Sequence, residues 1–154
     1  MEQQQADRGL VVVSENGNGR YGQQVRAGRH ELVADEPAPI GADSGPNPYD
    51  LLLAALGSCT SMTVRMYAER KGWPLEKVTV ALRHERVHAK DCAECESGHG
   101  LVDRITREIR LDGDLDDEQR RRLLEIAEKC PVHRTLTAGV VVSTTVVPPQ
   151  GPQA

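Results

Sequence analysis

Apolar and polar positions divide the chain into a β-rich first third, one long helix, and a second half of strands and helices. Residues 9–15 (GLVVVSE) form a short β-branched run. Asn16-Gly17-Asn18-Gly19 then supplies a turn suited to positive φ. Residues 20–27 and 29–34, separated by Gly28, complete a predicted three-stranded meander. Residues 35–48 (DEPAPIGADSGPNP) read as a loop, long enough to carry function or to cover a neighbouring subunit.

From 47 to 72, NPYDLLLAALGSCTSMTVRMYAERKG, the apolar spacing turns helical. Leu52, Leu56, Cys59, Thr63 and Met66 share one stripe, with Leu53, Ala55 and Met62 beside it. The pattern predicts a core helix of about 22 residues and about 33 Å, buried on most sides and carrying Cys59 on a buried face. Pro48 suits its first turn, Asp50 its positive end, and Gly72 its left-handed C′ position, with Pro74 beyond. Residues 75–88 predict a strand with Val78, Val80 and Leu82 on one face. A loop over 89–100, a strand over 101–111 and a turn at Asp112-Gly113-Asp114 follow. A second helix is expected over 116–129, with Leu123, Leu124, Ile126 and Ala127 on its apolar side. A short helical turn over 132–136 and a nearly apolar last strand over 139–147 (GVVVSTTVV) end the pattern. Segregated elements of this kind make an α+β fold, one domain over 8–147 with disordered ends at 1–7 and 148–154.

Composition narrows the partners. The 154 residues include no Phe, one Trp and three Tyr, so the core is built from Leu, Val, Ile, Ala and Met. The net charge of −4, with Lys and Arg scattered among acids, argues against a nucleic-acid partner. No run approaches 18 apolar residues, so no membrane span is expected. The start, MEQQQADRG, lacks the basic and apolar regions of a signal peptide, which makes the cytoplasm the expected compartment. There, four cysteines read as redox thiols or metal ligands before structural disulfides.

A single thiol on an apolar helix face, such as Cys59, is ordinarily a small core residue. Cys130 alters the weighing, because Pro131, His133 and Arg134 follow it at a helix-to-turn junction where cations favour thiolate. If the second helix packs on the first, Cys59 and Cys130 meet, and a thiol pair can cycle through sulfenic acid and disulfide. Cys92 and Cys95 form a separate C-x-x-C, open to three readings: metal site, accessory disulfide or inert thiols. Of the nearby histidines, His84 and His88 sit about 13 Å apart along a strand, so His88 and His99 are the better zinc candidates.

GPNPYDLLLAALGSCTSM, followed some seventy residues later by KCPVHRTL, resembles the OsmC/Ohr family of thiol-dependent hydroperoxide reductases. The resemblance runs from about residue 9 to 147, and the Cys92/Cys95 segment resembles a subgroup with an insertion between strands. It implies an OsmC-like fold, an intertwined homodimer with each active site built from both chains, and no cofactor or metal. Carried over by position, Cys59 is the peroxidatic cysteine and Cys130 the resolving one, with a dithiol as reductant. Arg20, after the NGNG turn, matches the arginine that holds the thiolate; read alone it is a solvated turn residue. One departure stands out: the family's Glu two residues after the Asn is Tyr49 here, and Asp50 is a helix-rotated neighbour. The implied substrates are organic hydroperoxides more than hydrogen peroxide. The rival readings are a thiol-disulfide exchange or sensor protein, and a non-redox binding protein with an apolar interfacial pocket.

Overall fold

The computed structural model describes residues 9–92 and 100–149. Its elements run β1 (Val11–Glu15), β2 (Gln23–Ala27), β3 (His30–Ala34), α1 (Pro48–Lys71), β4 (Leu75–His88), a 3-10 turn (Ala89–Asp91), β5 (Leu101–Gly113), α2 (Asp117–Ala127) and α3 (Pro131–Ala138). As far as α3 this is the α+β order that the sequence predicts. β1, β2 and β3 pair in that order as an antiparallel meander, and β4 pairs with β5 as a separate long hairpin. α1 packs on β4, α2 and α3, whereas the meander pairs within itself without extensive packing on those elements.

The ends of α1 are set by local chemistry. Asn47 Oδ1 accepts from the Asp50 N–H at 2.9 Å, and Asp50 Oδ2 accepts from the Asn47 N–H at 3.2 Å. Asp50 thus closes a reciprocal capping box as well as placing charge at the helix start. Gly72, at φ 66°, ends the helix in the left-handed region. The loop before α1 is organised around the buried Asp35. Its carboxylate accepts from the backbone N–H groups of Glu36, Ala42 and Ser44 and from the Ser44 hydroxyl at 2.7 Å.

The core lies where the C-terminal half of α1 meets α2 and the base of the β4–β5 hairpin, with Val64, Ala68, Leu75, Leu111, Leu115, Leu123 and Ala127 at its centre. By length and a mean hydropathy of 1.2, α1 alone among the described helices is long and apolar enough to cross a membrane. Its Leu56, Thr60, Val64 and Ala68 stripe is packed against its own chain.

Four expectations need correction. The buried stripe of α1 is Leu56, Gly57, Thr60, Val64 and Ala68, rotated from the one centred on Cys59. Met62 and Met66 are 66% and 70% exposed and Cys59 is half-buried, so α1 carries two adjacent apolar faces and its own chain covers one. On α2, Leu124 points outward. Residues 139–147 form no strand: Val141 and Val142 are 93% and 82% exposed, since an extended segment becomes a strand only when another edge satisfies its N–H and C=O groups. The helical turn at 132–136, in contrast, is a longer helix, α3, and β5 runs through Gly113.

Candidate active site

Cys59 and Cys130 are the free cysteines among the described residues. Cys130 is fully buried and caps α3: its Sγ accepts the backbone N–H of His133 at 3.3 Å, at the positive end of that helix. Pro131 at the first helical position needs no such partner. Across from it, on α1, sits Thr60, with Oγ1 at 3.7 Å from Cys130 Sγ. The structure therefore brings Cys130 to the residue next to Cys59, through the packing of α3 on α1.

Behind this contact stands Arg107 of β5, its side chain only 9% exposed. Nη1 donates to Thr60 Oγ1 at 2.9 Å. Nη2 donates to Glu128 Oε1 at 2.9 Å and to His133 Nδ1 at 3.3 Å. A guanidinium offers only donors, so His133 Nδ1 is an acceptor, and the proton of the neutral ring sits on Nε2, which faces Glu128 Oε2 at 3.4 Å. Arg107, Glu128 and His133, with Leu56, Asp103 and Leu136, line an open groove of about 640 Å³ beside the two cysteine-bearing segments.

At another point along α1, Tyr49 stacks on His84, ring centroids 4.2 Å apart at 11°. His84 Nε2 in turn meets Asp103 Oδ1 at 2.8 Å. The residue in the place of the family's Glu is thus engaged with a histidine–carboxylate pair, and His84 serves that pair. Arg20 lies over the Tyr21 ring, 5.4 Å from its centroid, and forms no ion pair or side-chain hydrogen bond among the described residues. Within one chain it is not brought to Cys59.

Cys92 is disulfide-bonded. A sulfur in that state offers no thiolate to zinc, and no group of three His, Cys, Asp or Glu side chains gathers as a metal site among the described residues. Cys95 and His99 lie outside the described residues.

Sequence reasoning missed Thr60, Arg107 and Glu128. Two signals pointed to Arg107 and Thr60, and none to Glu128. Ile105, Arg107, Ile109 and Leu111 alternate on the inward row of β5, which makes Arg107 a charge in an apolar row. Thr60 interrupts the i, i+4 row of Leu56, Val64 and Ala68. A polar group at a core position calls for a partner.

The fold is α+β, and it seats Cys130 against Thr60, the residue that follows Cys59. A family model described as OsmC-like protein matches residues 41–145, more than half of the sequence, and the chain belongs to that family. No curated protein matches it. Among solved structures, an OsmC-like protein from Mycoplasma pneumoniae superposes with a TM-score of 0.66 at 17% identity, over 83% of this chain and 86% of that one. The organic hydroperoxide resistance protein OsmC of Legionella pneumophila gives 0.57 at 19%, over 81% and 85%. OhrB, an organic hydroperoxide resistance protein of Bacillus subtilis, gives 0.55 at 18%, over 81% and 87%. These likenesses establish the OsmC-like fold.

Proposed function

We propose that the chain is a thiol-dependent peroxidase that reduces organic hydroperoxides to alcohols. The Cys59 thiolate attacks the terminal peroxide oxygen, the O–O bond breaks, and the leaving alkoxide takes a proton. Cys59 is oxidised to sulfenic acid. The Cys130 thiol then condenses with it, releasing water and leaving a Cys59–Cys130 disulfide that a small dithiol or a dithiol protein reduces. The observation that carries this reading is the seating of a free, buried Cys130 at 3.7 Å from Thr60, one residue from a free, half-buried Cys59. The names of the Legionella and Bacillus neighbours, both organic hydroperoxide resistance proteins, support the substrate class.

The working form is a homodimer. Three apolar surfaces support it: the Met62 and Met66 face of α1, the outward valines of β1, and the exposed valines between 140 and 147. In such a dimer, Arg20 on the partner's meander is the residue that holds the Cys59 thiolate.

A second reading, thiol-disulfide exchange or redox sensing without peroxide turnover, is favoured by Tyr49. Its ring is committed to His84, and it brings no carboxylate to anchor Arg20. Titration of the reduced protein with cumene hydroperoxide and hydrogen peroxide separates the two. Fast stoichiometric bridging, faster with the organic peroxide and abolished in Cys59→Ser, supports the peroxidase. Oxidation as slow as that of a free thiol excludes it, and comparable rates with both peroxides exclude the organic preference.

A further inference from the structure

The hydrogen-bond inventory around Cys130 is closed, and it assigns a role to a residue that touches neither sulfur. Thr60 has one hydroxyl proton, donated to the Leu56 carbonyl at 2.7 Å. Thr60 Oγ1 accepts from Arg107 Nη1 at 2.9 Å. Toward Cys130 Sγ, 3.7 Å away, that hydroxyl is therefore an acceptor, and the reduced thiol is the donor. The lone pairs of Sγ face the His133 N–H. The S–H of reduced Cys130 therefore has one orientation, its proton toward α1 and its sulfur anchored at the start of α3.

Arg107 spans the same two segments. It holds Thr60, next to Cys59, with one nitrogen and the two residues that flank the Cys130 junction, Glu128 and His133, with another. A disulfide forms only when the two Cα atoms come within about 4.4–6.8 Å with the β-carbons facing. A strut that fixes the thiol-bearing junction against the thiol-bearing helix governs that approach.

We infer that Arg107 is a positioning residue for closure of the Cys59–Cys130 disulfide, acting through Thr60 and the Glu128–His133 junction. The inference rests on the two-thiol reading above and adds a residue to it. In the step concerned, Cys130 Sγ attacks the sulfenic sulfur of Cys59. The S–S bond forms, the S–O bond breaks, and the Cys130 proton leaves with the hydroxide as water. Arg107 sets the geometry of that attack and takes no part in the preceding attack on peroxide. Lysine cannot reproduce it, because one ammonium cannot span three partners in a planar fork.

The test follows the two steps separately. Reduced wild type, Arg107→Met, Arg107→Lys and Thr60→Val are mixed with limiting cumene hydroperoxide or, in parallel, with oxidised glutathione. In the second arm Cys59 forms a mixed disulfide with glutathione, which Cys130 displaces. Acid-quenched samples are read by mass spectrometry for mixed disulfide, Cys59–Cys130 disulfide and Cys59 sulfinic acid. In Arg107→Met, closure slows by about tenfold or more with either oxidant, as misplacement of reacting groups by about an ångström entails. Sulfinic acid rises with peroxide, and the first oxidation of Cys59 keeps its wild-type rate. Arg107→Lys recovers part of the closure rate, and Thr60→Val falls between.

A merely structural role slows both steps together, so that pattern overturns the inference, as does wild-type closure in Arg107→Met and Thr60→Val. If circular dichroism finds Arg107→Met unfolded, Arg107→Lys and Thr60→Val decide by the same criterion. Bridging by glutathione but not by peroxide, with closure slowed in the variants, removes the peroxidase reading and leaves the positioning role. Absence of a Cys59–Cys130 bridge with either oxidant overturns both.

Discussion

Thr60 offers a measurement of how much the polar contact between the thiol-bearing segments contributes to the fold. Thr60 is fully buried, and its hydroxyl meets Leu56, Arg107 and Cys130. Thr60→Val keeps the shape and removes the oxygen. Leu56 C=O retains its helical partner, but Arg107 Nη1 loses its acceptor on a side chain with little access to water. A hydrogen bond to a charged group contributes about 1.5–3 kcal/mol, and the apolar replacement returns part of that, so Thr60→Val costs about 2 kcal/mol. Thr60→Ser keeps the oxygen and loses one buried methyl, a cost of about 1 kcal/mol with its small cavity. In an Arg107→Met background no charged donor awaits the hydroxyl, and the Thr60→Val cost falls below about 0.5 kcal/mol. Urea unfolding of the reduced protein, at one protein concentration because association shifts apparent stability, supplies the four corners of the cycle. A Thr60→Val protein as stable as wild type, or a cost undiminished in Arg107→Met, refutes the assignment of Thr60 as the partner of Arg107.

The same reasoning gives further outcomes. Gly113 and Gly72 both have positive φ, 134° and 66°, yet a Cβ at Gly113 lies 2.2 Å from the Pro74 carbonyl oxygen, whereas at Gly72 nothing lies within 4 Å. Gly72→Ala thus costs about 1 kcal/mol of left-handed strain. Gly113→Ala costs about 3 kcal/mol or more, because backbone must move; equal urea midpoints contradict this. The Ser44 hydroxyl holds the Asp35 carboxyl below its ordinary range, with burial opposing and the N–H groups of Ser44, Glu36 and Ala42 assisting. A depressed carboxyl stabilises the fold above its unfolded pKa and loses that contribution as pH falls through the folded value. In Ser44→Ala, Asp35 titrates at higher pH and acid unfolding begins earlier, which NMR titration and acid melts check; an unchanged Asp35 titration contradicts it. Met66→Glu places a charge on the open face of α1 and shifts the proposed dimer to monomer in sedimentation; a dimer at wild-type strength removes that face from the interface.

What was legible in the sequence followed from how local each determinant is. The bounds of α1 are written in Asn47, Asp50 and Gly72, whose chemistry acts within one turn. The meander is written in Asn16-Gly17-Asn18-Gly19 and Gly28. The facing of α1 was not legible, because two adjacent apolar stripes read as one broad stripe, and periodicity alone does not say which of them the chain itself covers. Residues 139–147 carry every mark of a strand except a partner, and pairing is not a local property. In the candidate site, Cys130 was legible from Pro131 and His133 beside it. Arg107 was not singled out, although its place among Ile105, Ile109 and Leu111 is a local signal, because its meaning depends on Thr60, 47 residues away.

The distribution of contacts between the two cysteines carries an argument about where each half of the chemistry is built. Among the described residues, Cys130 Sγ meets Thr60 across α1 and the His133 N–H beneath it, and Arg107 ties both sides without touching the sulfur. Cys59 has no comparable set among the described residues. Its face of α1 is continuous with Met62 and Met66, and the arginine that resemblance assigns to it rides on a meander without extensive packing on that helix. Under the proposed mechanism, groups of one chain suffice to position Cys130 for resolution, whereas activation of Cys59 draws on the proposed dimer. Under that division, a monomeric variant that retains glutathione-driven closure while losing its rate with peroxide is the expected product of Met66→Glu. Tyr49 sharpens the point, because its stack on His84 fills the capping end of α1 with an intrachain contact. Tyr49 brings no carboxylate to that end of the helix, so in the proposed dimer Arg20 finds no acidic partner at position 49.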